Sequence, residues 1–432
     1  MTANQQQHLI HGGRTLPATP LAGIDLNSGF MPVRRVFYYA GQPDIARLQH
    51  ALAAALARWP DFAGTVAKHT INGRENVLCL LRNDTGARFS VVQVDTAVPP
   101  FGIDYPTGLP SPFCDESISQ VAGDGGPVFT VKITQFNDGH WVLGTCNSHA
   151  LCDGSGFWQF MQSWCGAFHG EVLPTIAGDF PRCVLPLADG EVVAVPSQLK
   201  QPAVVLLDKQ IANLATYRTG QRFLPAAQLD ALKQAVNAGL APDWVSTQDA
   251  LMALLWQGLA AIALRHGADP AQRFPLSNVI NIRSRFSLEH YVGNMAYGVL
   301  SQATLAEITQ ASLAQLAQRL RQDSQQATDA DMRQFLQFLQ QQLDQGGVNS
   351  AGYFRGFSAQ LAELCVDGCG VMVNNWSKFP AYRMHFGSTP LWFDLATVIP
   401  MHFVMVMPAL DGVVVRYFLP ADWLDDALAV LG

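Results

Sequence analysis

The sequence predicts an α/β fold of two lobes, each with helices packed on a mixed sheet, and a linker that crosses between them. The chain has 432 residues, more than one hydrophobic core usually supports. In each half, apolar residues follow both the two-residue period of strands and the longer period of helices. Residues 178–203 are rich in proline, glycine and small side chains, as linkers are. We expect an N-terminal lobe (residues 1–190), a crossover linker (191–215) and a C-terminal lobe (216–432).

The composition is that of a globular chain with few charges. Hydrophobic residues make up 49% of the sequence and charged residues only 14%, against about a quarter in typical globular domains. The net charge is −7, and no run of lysine and arginine stands out. Because nucleic acid is bound by clustered basic side chains, we expect no nucleic-acid partner. A local basic spot for one phosphorylated cofactor is compatible with this composition.

Location and metal content also carry expectations. The first twenty residues are polar and lack the apolar segment of a secretory signal. The most apolar run, Ala250–Leu264, is too short to span a membrane comfortably and predicts a buried helix. The eight cysteines include no zinc-type pair of C-x-x-C motifs. Free buried thiols in a reducing compartment fit this usage, so we expect a cytoplasmic protein with no metal and no membrane partner.

In the first half, periodicity predicts several elements. The first fifteen residues predict a disordered leader. Ile45–Leu56 carries apolar residues at helical spacing, and Trp59-Pro60 ends this helix. Strands over Phe129–Thr134 and Trp141–Cys146 form a hairpin, since Asn137-Asp138-Gly139 between them is a typical turn sequence.

The second half repeats the pattern. A short strand ends at Leu224, and Pro225 opens a helix. Ser246 or Thr247 caps the long apolar helix that follows. Residues 305–343 are predicted to be helical and rich in glutamine, and a second hairpin turns at Asp411-Gly412.

One stretch indicates chemistry, Asn147 to Gly154, which follows the predicted hairpin strand and precedes a helix. It places His149 and Asp153 four residues apart. In a tight turn, the imidazole can act as general base for a hydroxyl or amine while the carboxylate holds the turn. H-x-x-x-D also occurs by chance, and most of the 11 histidines are expected to be ordinary. Cys152 is an alternative nucleophile, but packing is the better interpretation because nothing beside it would lower its pKa.

Taken together, these segments resemble the BAHD acyltransferases, relatives of chloramphenicol acetyltransferase and of peptide-synthetase condensation domains. The resemblance spans nearly the whole chain and depends on the order and spacing of several short motifs. These are L-A-G-I-D (Leu21–Asp25), W-P-D-F-A-G (Trp59–Gly64), H-A-L-C-D-G (His149–Gly154), the helix of Val245–Leu264, N-I-R-S-R (Asn281–Arg285), Y-V-G-N (Tyr291–Asn294) and N-W-S-K-F-P (Asn375–Pro380) followed by H-F-G (His385–Gly387).

Two positions refine the resemblance. Ser148 precedes a single histidine, as in the BAHD branch, whereas chloramphenicol acetyltransferases and condensation domains usually carry two adjacent histidines. The family's D-F-G-W-G loop has become H-F-G-S-T (His385–Thr389), without the aspartate, the tryptophan and the last glycine. In the family this loop is mainly architectural and lies away from the catalytic histidine. We therefore expect a divergent member with intact chemistry.

The resemblance implies roles for the central residues. His149 would take the proton of the acceptor and return it to the departing thiolate. Asp153 would point away from the substrate and pair with Arg283; the alternative is a plain surface carboxylate. Gly154 would let the backbone approach the pantetheine arm of the donor. Loss of Asp153 should then resemble misfolding as much as catalytic failure.

Other candidates carry plainer alternatives. Asn374 and Trp376 lie where the family places residues near the tetrahedral oxyanion, but a buried strand end with a core tryptophan explains them equally well. Arg285 and Ser388 are candidate cofactor contacts, although a surface salt bridge is the simpler interpretation of Arg285. His385 is either a second functional imidazole or a loop residue in place of a structural aspartate, and we favour the loop residue.

The implied fold is a pair of chloramphenicol-acetyltransferase-like lobes with the active site at their interface. The implied reaction is direct transfer of an acyl group from acyl-CoA, as co-substrate, to a hydroxyl or amine of a small molecule in specialised metabolism. We expect a monomer with no permanently bound cofactor. Two alternatives stay open: a donor thioester on an acyl carrier protein, and a non-catalytic binder on the same fold.

Overall fold

The computed structural model describes residues 5–27, 32–71, 73–101, 112–115, 126–173, 182, 212–241, 243–346, 369–397 and 399–431. Its first sheet consists of β1 (Gln5–Ile10), β3 (Pro32–Ala40), β6 (Ala87–Val94), β7 (Phe129–Phe136), β8 (His140–Ser148) and β13 (Trp392–Leu395). The strand order is β1-β6-β7-β8-β3-β13. Only the β6–β7 pair within this sheet is parallel. The sheet is therefore mixed, as predicted.

A second sheet forms the other lobe. It consists of β9 (Tyr217–Pro225), β10 (Leu276–Asn281), β11 (Ala296–Ser301), β12 (Val371–Asn375), β14 (Phe403–Ala409) and β15 (Gly412–Pro420). The strand order is β11-β10-β12-β14-β15-β9, and β12 runs parallel to both neighbours. A small antiparallel sheet is formed by β2 (Thr19–Pro20), β4 (Thr65–Ile71) and β5 (Arg74–Leu81).

Helices cover both sheets. They are α1 (Gly23–Asn27), α2 (Ile45–Arg58), α3 (Gly154–Phe168), α4 (Ala226–Asn237), α5 (Thr247–Arg265), α6 (Leu305–Gln310), α7 (Leu313–Gln326), α8 (Asp329–Gly346) and α9 (Ala421–Val430). Helix α2 matches the predicted helix and begins where the Asp44 side chain accepts from the amide of Arg47. Helix α5 begins with a capping box between Ser246 and Asp249, which satisfies amides that have no partner inside the helix.

Helix α5 is the helix predicted from the most apolar run. Among the described residues it is long and apolar enough to cross a membrane by length and composition. Most of its side chains are nevertheless buried in the core between the second sheet and its helices. The prediction of a buried core helix is confirmed.

The main core connects the two lobes. It begins between the first sheet and helices α2 and α3, where Phe37, Leu52 and Phe160 are fully buried. It continues without a break to Met405 and Phe418 of the second sheet. Burial of this apolar surface fixes one lobe against the other.

Strand β13 belongs to the C-terminal half of the chain but pairs with β3 in the first sheet. Its Asp394 accepts from Arg416 of β15, in the second sheet, at 2.6 and 2.5 Å. Both side chains are fully buried. The strand therefore ties the two sheets together across the predicted lobe boundary. Residues 191–211 of the predicted linker lie outside the described residues, and the division at 191–215 stays a prediction.

The expected disordered leader is wrong for residues 5–10, which form β1. This strand pairs antiparallel with β6, from Gln5 opposite Val92 to Ile10 opposite Ala87. Almost all of its residues are exposed, so its sequence has no apolar alternation to reveal it. The free edge of β6 supplies the hydrogen bonds instead. Strands β4, β11 and β13 were also missed. Each is short or lies close to turns, so its apolar residues are too few to show a two-residue period.

We expect Arg416→Met to lower the free energy of unfolding by about 3–5 kcal/mol, because it leaves the buried Asp394 carboxylate without its counter-charge. Chemical denaturation at pH 7 measures this. The matched control is Arg265→Met, since Arg265 pairs with Asp426 and is 54% exposed; its cost should stay below about 1 kcal/mol. Equal costs for the two variants would contradict a buried tie between the sheets.

Candidate functional site

His149 lies in the turn between β8 and α3. The amide of Leu151 donates to the carbonyl of Ser148 at 3.0 Å, which closes the turn. Ala150, Leu151 and Cys152 are fully buried in the main core. Because three apolar side chains anchor the turn, its backbone is fixed. His149 itself is half-buried and lies at the interface between the two lobes, which we call the lobe seam.

Asp153 ends the turn and caps helix α3. Its Oδ1 accepts from the amide of Gly156 at 3.0 Å and its Oδ2 from the amide of Met295 at 2.9 Å. The Arg283 guanidinium donates to both oxygens, each at 2.8 Å. The carboxylate is therefore held by partners inside the protein, and it joins β8 and α3 of one lobe to the C-terminal lobe.

Arg283 is itself held on several sides. It donates to the carbonyls of Tyr291, at 2.8 Å, and of Gly293, and to the side chain of Asn281 at 3.2 Å. Only 2% of the residue is exposed. Burial alone would raise the pKa of Asp153, but the Arg283 charge and the hydrogen bonds outweigh it and hold that pKa below its ordinary value.

A second buried network supports the same turn. Arg182 donates to the carbonyl of Leu151 at 2.7 Å and forms ion pairs with Asp25 at 3.5 Å and Asp61 at 3.1 Å. Asn294 donates to Asp25 at 3.1 Å and to the carbonyl of His149 at 2.9 Å. Four segments far apart in the sequence, those of Asp25, Asp61, Arg182 and Asn294, therefore converge on the backbone around His149.

Sequence reasoning assigned no role to Arg182 and treated Asn294 only as part of a motif. Arg182 lies in the stretch whose proline and glycine content predicted a linker, so the pattern gave no signal for it. The Y-V-G-N motif itself was the available signal for Asn294. Its contact with the histidine carbonyl depends on how two distant segments pack.

The surroundings of His149 favour the neutral imidazole. Burial lowers the pKa of His149 below its ordinary value, and the Arg35 charge lowers it further. Asp153, the backbone of His149 and the Asn294 side chain oppose this shift only in part. Among the described residues, the buried Nδ1 atom has no partner of good hydrogen-bond geometry. A neutral imidazole can accept a proton at neutral pH.

Arg35 lies beside this turn and was also missed. It is fully buried on β3, donates to Asn147 Oδ1 at 2.6 Å and lies 3.7 Å from the ring centre of Phe157 and 5.2 Å from that of Trp376. An arginine inside the apolar stretch Pro32–Ala40 was the signal that could have found it, because strand interiors seldom hold a buried charge.

Gly154 and Trp376 meet at the seam. A Cβ atom on Gly154 would lie 2.8 Å from the Phe379 ring and 3.6 Å from Trp376, so packing between the lobes already requires a small residue there. The predicted contact with a pantetheine arm stays a prediction. Asn374 lies on the same face of β12 as Met372, which packs against the main core. Trp376 is buried in that core, so both interpretations of these two residues stay open.

The remaining candidates lie elsewhere. Arg285 pairs with Asp329 at 2.9 Å on the surface, which matches the simpler interpretation. Ser388 donates to the carbonyl of Ala40 at 2.9 Å. Ala40 stands opposite His140, while Ser148 stands opposite Pro32, so Ser388 lies about 26 Å from the His149 turn along the strand. Its contact with a cofactor stays a prediction.

His385 lies at the same distant end of the sheet. Its carbonyl contacts His169 Nε2 at 2.6 Å, and its own Nε2 lies 2.9 Å from the Thr389 hydroxyl. His169 follows the last turn of α3, the end opposite Gly154. This placement agrees with a loop residue.

Cys152 is unsuited to be a nucleophile. Burial raises its pKa to about 12, so the thiolate is scarce at neutral pH. Like Cys79 and Cys165, it is buried and free, which matches the expected usage. Among the described residues, no group of three histidine, cysteine, aspartate or glutamate side chains is arranged to hold a metal ion.

We expect Asp153→Asn to lower the free energy of unfolding by about 3–5 kcal/mol at pH 7, because Arg283 loses its counter-charge. The folded-state pKa of Asp153 lies below its ordinary value of 3.8, so the ion pair stabilises above that pH and its contribution is lost as the pH falls below it. Urea denaturation of both proteins from pH 7 to 3 should show their difference shrinking below about pH 4.

Asp329→Asn is the matched control, since Asp329 is an exposed partner of Arg285. It should cost less than about 1 kcal/mol at every pH. A difference for Asp153→Asn that grows on acidification would contradict the assigned ion pair.

The chain is similar to known acyltransferases over most of its length. A family model described as the Transferase family matches residues 39–422. The O-acyltransferase pigD of Monascus ruber is 27% identical over 289 residues, which are 64% of this chain and 61% of that protein. Agmatine coumaroyltransferase-1 of Hordeum vulgare is 23% identical over 411 residues, 91% of this chain and 88% of that protein.

The same likeness holds for the fold. The structure of F. sporotrichioides TRI101 complexed with coenzyme A and T-2 superposes with a TM-score of 0.75 at 18% identity, covering 96% of this chain and 97% of that chain. The two-lobed mixed-sheet architecture is thereby confirmed. The protein belongs to the Transferase family, the BAHD acyltransferases, and is an enzyme that transfers acyl groups to small-molecule acceptors.

Proposed function

We propose that the protein transfers an acyl group from a coenzyme A thioester to a hydroxyl or amine of a small molecule, with His149 as the general base. The observation that carries this proposal is the position of His149 in a fixed turn at the lobe seam, where burial lowers the pKa of the imidazole. The ion pair between Asp153 and Arg283 and the hydrogen bond from Asn294 to the His149 carbonyl hold this turn in place. A base held in this way needs no reorganisation when the acceptor binds.

The proposed steps are few. His149 removes the proton of the acceptor while its oxygen or nitrogen attacks the thioester carbonyl. The tetrahedral intermediate then collapses, and the protonated imidazole gives its proton to the departing thiolate. Both substrates are bound together, so no acyl group is attached to the protein. The raised pKa of Cys152 supports a direct attack over a thiol-ester intermediate.

The relatives support the donor and the acceptor classes. TRI101 was crystallised with coenzyme A, which supports acyl-CoA as co-substrate. One relative is named as an O-acyltransferase and another acts, by name, on the amine agmatine. We therefore include both a hydroxyl and an amine as acceptors. Asn374 and Trp376 are the proposed oxyanion contacts, since both lie on the C-terminal side of the seam. The buried free thiols of Cys79, Cys152 and Cys165 support a cytoplasmic location.

We expect His149→Ala to reduce acceptor-dependent release of free coenzyme A by about 10²- to 10⁴-fold. The assay follows free thiol from a panel of acyl-CoAs, with and without a library of alcohols and amines. His69→Ala is the matched control, because His69 is exposed on β4, and it should retain wild-type rates.

Two results would contradict the proposal. Full turnover by folded His149→Ala would remove the base from this site. No release by the folded wild-type protein from any acyl-CoA would favour a carrier-protein donor or a non-catalytic binder.

The pH profile should show the shifted histidine. Because burial lowers the pKa of His149 below 6.5, the midpoint of the decline in kcat/KM with an alcohol acceptor on acidification should lie below pH 6.5. Initial rates from pH 5 to 8 at fixed ionic strength measure this. A decline centred at or above pH 6.5 would indicate an exposed imidazole and contradict the assigned environment.

A further inference from the structure

We propose that Arg35 binds a carboxylate carried by one of the two substrates, beside His149. The inference rests on the proposed acyl transfer and narrows it by naming a chemical class of substrate. The positive charge of Arg35 is buried, with no negatively charged side chain in the described part of the chain to balance it. Arg35 is 1% exposed, and no carboxylate among the described residues lies within ion-pair distance of it.

The polar partner of Arg35 is neutral. Its Nη1 donates to the amide oxygen of Asn147, while its Nε is buried and has no hydrogen-bond partner in the described part of the chain. The rings of Phe157 and Trp376 flank the guanidinium. Flat aromatic contacts hold a guanidinium in place without neutralising it. A buried charge that lacks an anion is costly unless a ligand supplies one.

Other buried arginines of the chain show the contrast. Arg182, Arg283 and Arg416 each contact at least one aspartate, and Arg82 donates from two nitrogens to the carbonyl of Pro17. The Nε of Arg182, like that of Arg35, has no partner among the described residues, so Arg35 differs from the three aspartate-paired arginines in its missing counter-charge. The Asp153 carboxylate acts on Arg35 only from a distance and is bonded to Arg283.

The charge of Arg35 persists at neutral pH. Burial lowers the pKa of Arg35 to about 10, and Asp153 is among the groups that limit the shift. The guanidinium of Arg35 is therefore still positively charged at neutral pH, where it can bind an anion.

The groups next to Arg35 place the proposed carboxylate site beside His149, the proposed base. Asn147, which binds Arg35, is separated from His149 by Ser148 alone. The Oγ of Ser148 and the Nδ1 of His149 are also buried without a partner among the described residues. The positive field of Arg35 lowers the pKa of His149. A substrate carboxylate on Arg35 would therefore lie within reach of the base and would align the substrate for attack.

A planar guanidinium binds a carboxylate through two parallel hydrogen bonds. The carboxylate has two sources, the acceptor or a dicarboxylic acyl group on the donor. Matched pairs separate them. For the acceptor, the probes are 4-hydroxyphenylacetate and 4-aminobenzoate, each against its methyl ester. For the donor, they are malonyl-CoA and succinyl-CoA against propionyl-CoA and butyryl-CoA.

The experiment measures the ratio of kcat/KM for the charged and the neutral member of each pair. Because both values come from one preparation, the ratio does not depend on the fraction of folded enzyme. The variants are Arg35→Met, which removes the charge, and Arg35→Lys, which keeps it. Arg34→Met is the matched control. Arg34 precedes Arg35 on β3, contacts Thr397 instead, and its side chain leaves the opposite face of the strand.

In one of the two arms, the wild-type enzyme should prefer the charged member, and Arg35→Met should reduce that ratio at least about tenfold. Arg35→Lys should retain part of the preference, and Arg34→Met all of it. The arm that changes identifies the substrate that carries the carboxylate.

The inference would be overturned if acyl transfer proceeds and Arg35→Met leaves the ratios unchanged in both arms. Arg35 would then have only a structural role, in which it joins β3 to β8 through Asn147. That result is distinct from failure of the proposed function, in which the wild-type enzyme releases no thiol with any acceptor.

Discussion

The buried ion pair between Asp153 and Arg283 is the constraint on which the site depends. It joins the helix that follows the His149 turn to a loop of the other lobe, with two hydrogen bonds of 2.8 Å. Two charges removed from water are stable only when each remaining polar atom is also satisfied. Here the backbone amides of Gly156 and Met295 complete the carboxylate, and carbonyls of the C-terminal lobe complete the guanidinium. The lobes therefore cannot shift without disturbing the turn.

Further contacts, besides this ion pair, hold the turn that carries His149 in place. Its apolar residues are buried in the main core, Arg182 holds the carbonyl of Leu151, and Asn294 holds that of His149. A Cβ on Gly156 would lie 1.9 Å from the Val292 carbonyl, so the start of α3 is packed directly against backbone of the other lobe. Such close packing explains how short motifs far apart in the chain serve one position.

The proposed base and the loop that departs from the family sequence lie in different parts of the structure. The proposed base is a histidine whose pKa is lowered by burial, while the loop of His385–Thr389 lies at the far end of the first sheet. Strand β13 follows this loop and enters the first sheet from the C-terminal half of the chain. Its ion pair with Arg416 fixes the distance between the sheets, and thus the width of the seam in which both substrates would bind.

Local pattern was enough to predict the two lobes, the principal helices, the β7–β8 hairpin and the turn that carries His149, because period, caps and turn residues act over a few positions. The motifs also identified Asp153 and Arg283. Strand β1, the crossing of β13 and the convergence of Asp25, Arg182 and Asn294 were decided by the tertiary structure alone. The sequence shows Arg35 inside a predominantly apolar strand, but the absence of a counter-charge beside it, within the described ranges, follows only from the way two sheets and a helix enclose it. Pairings between distant segments depend on burial and edge hydrogen bonds, which leave no period in the sequence.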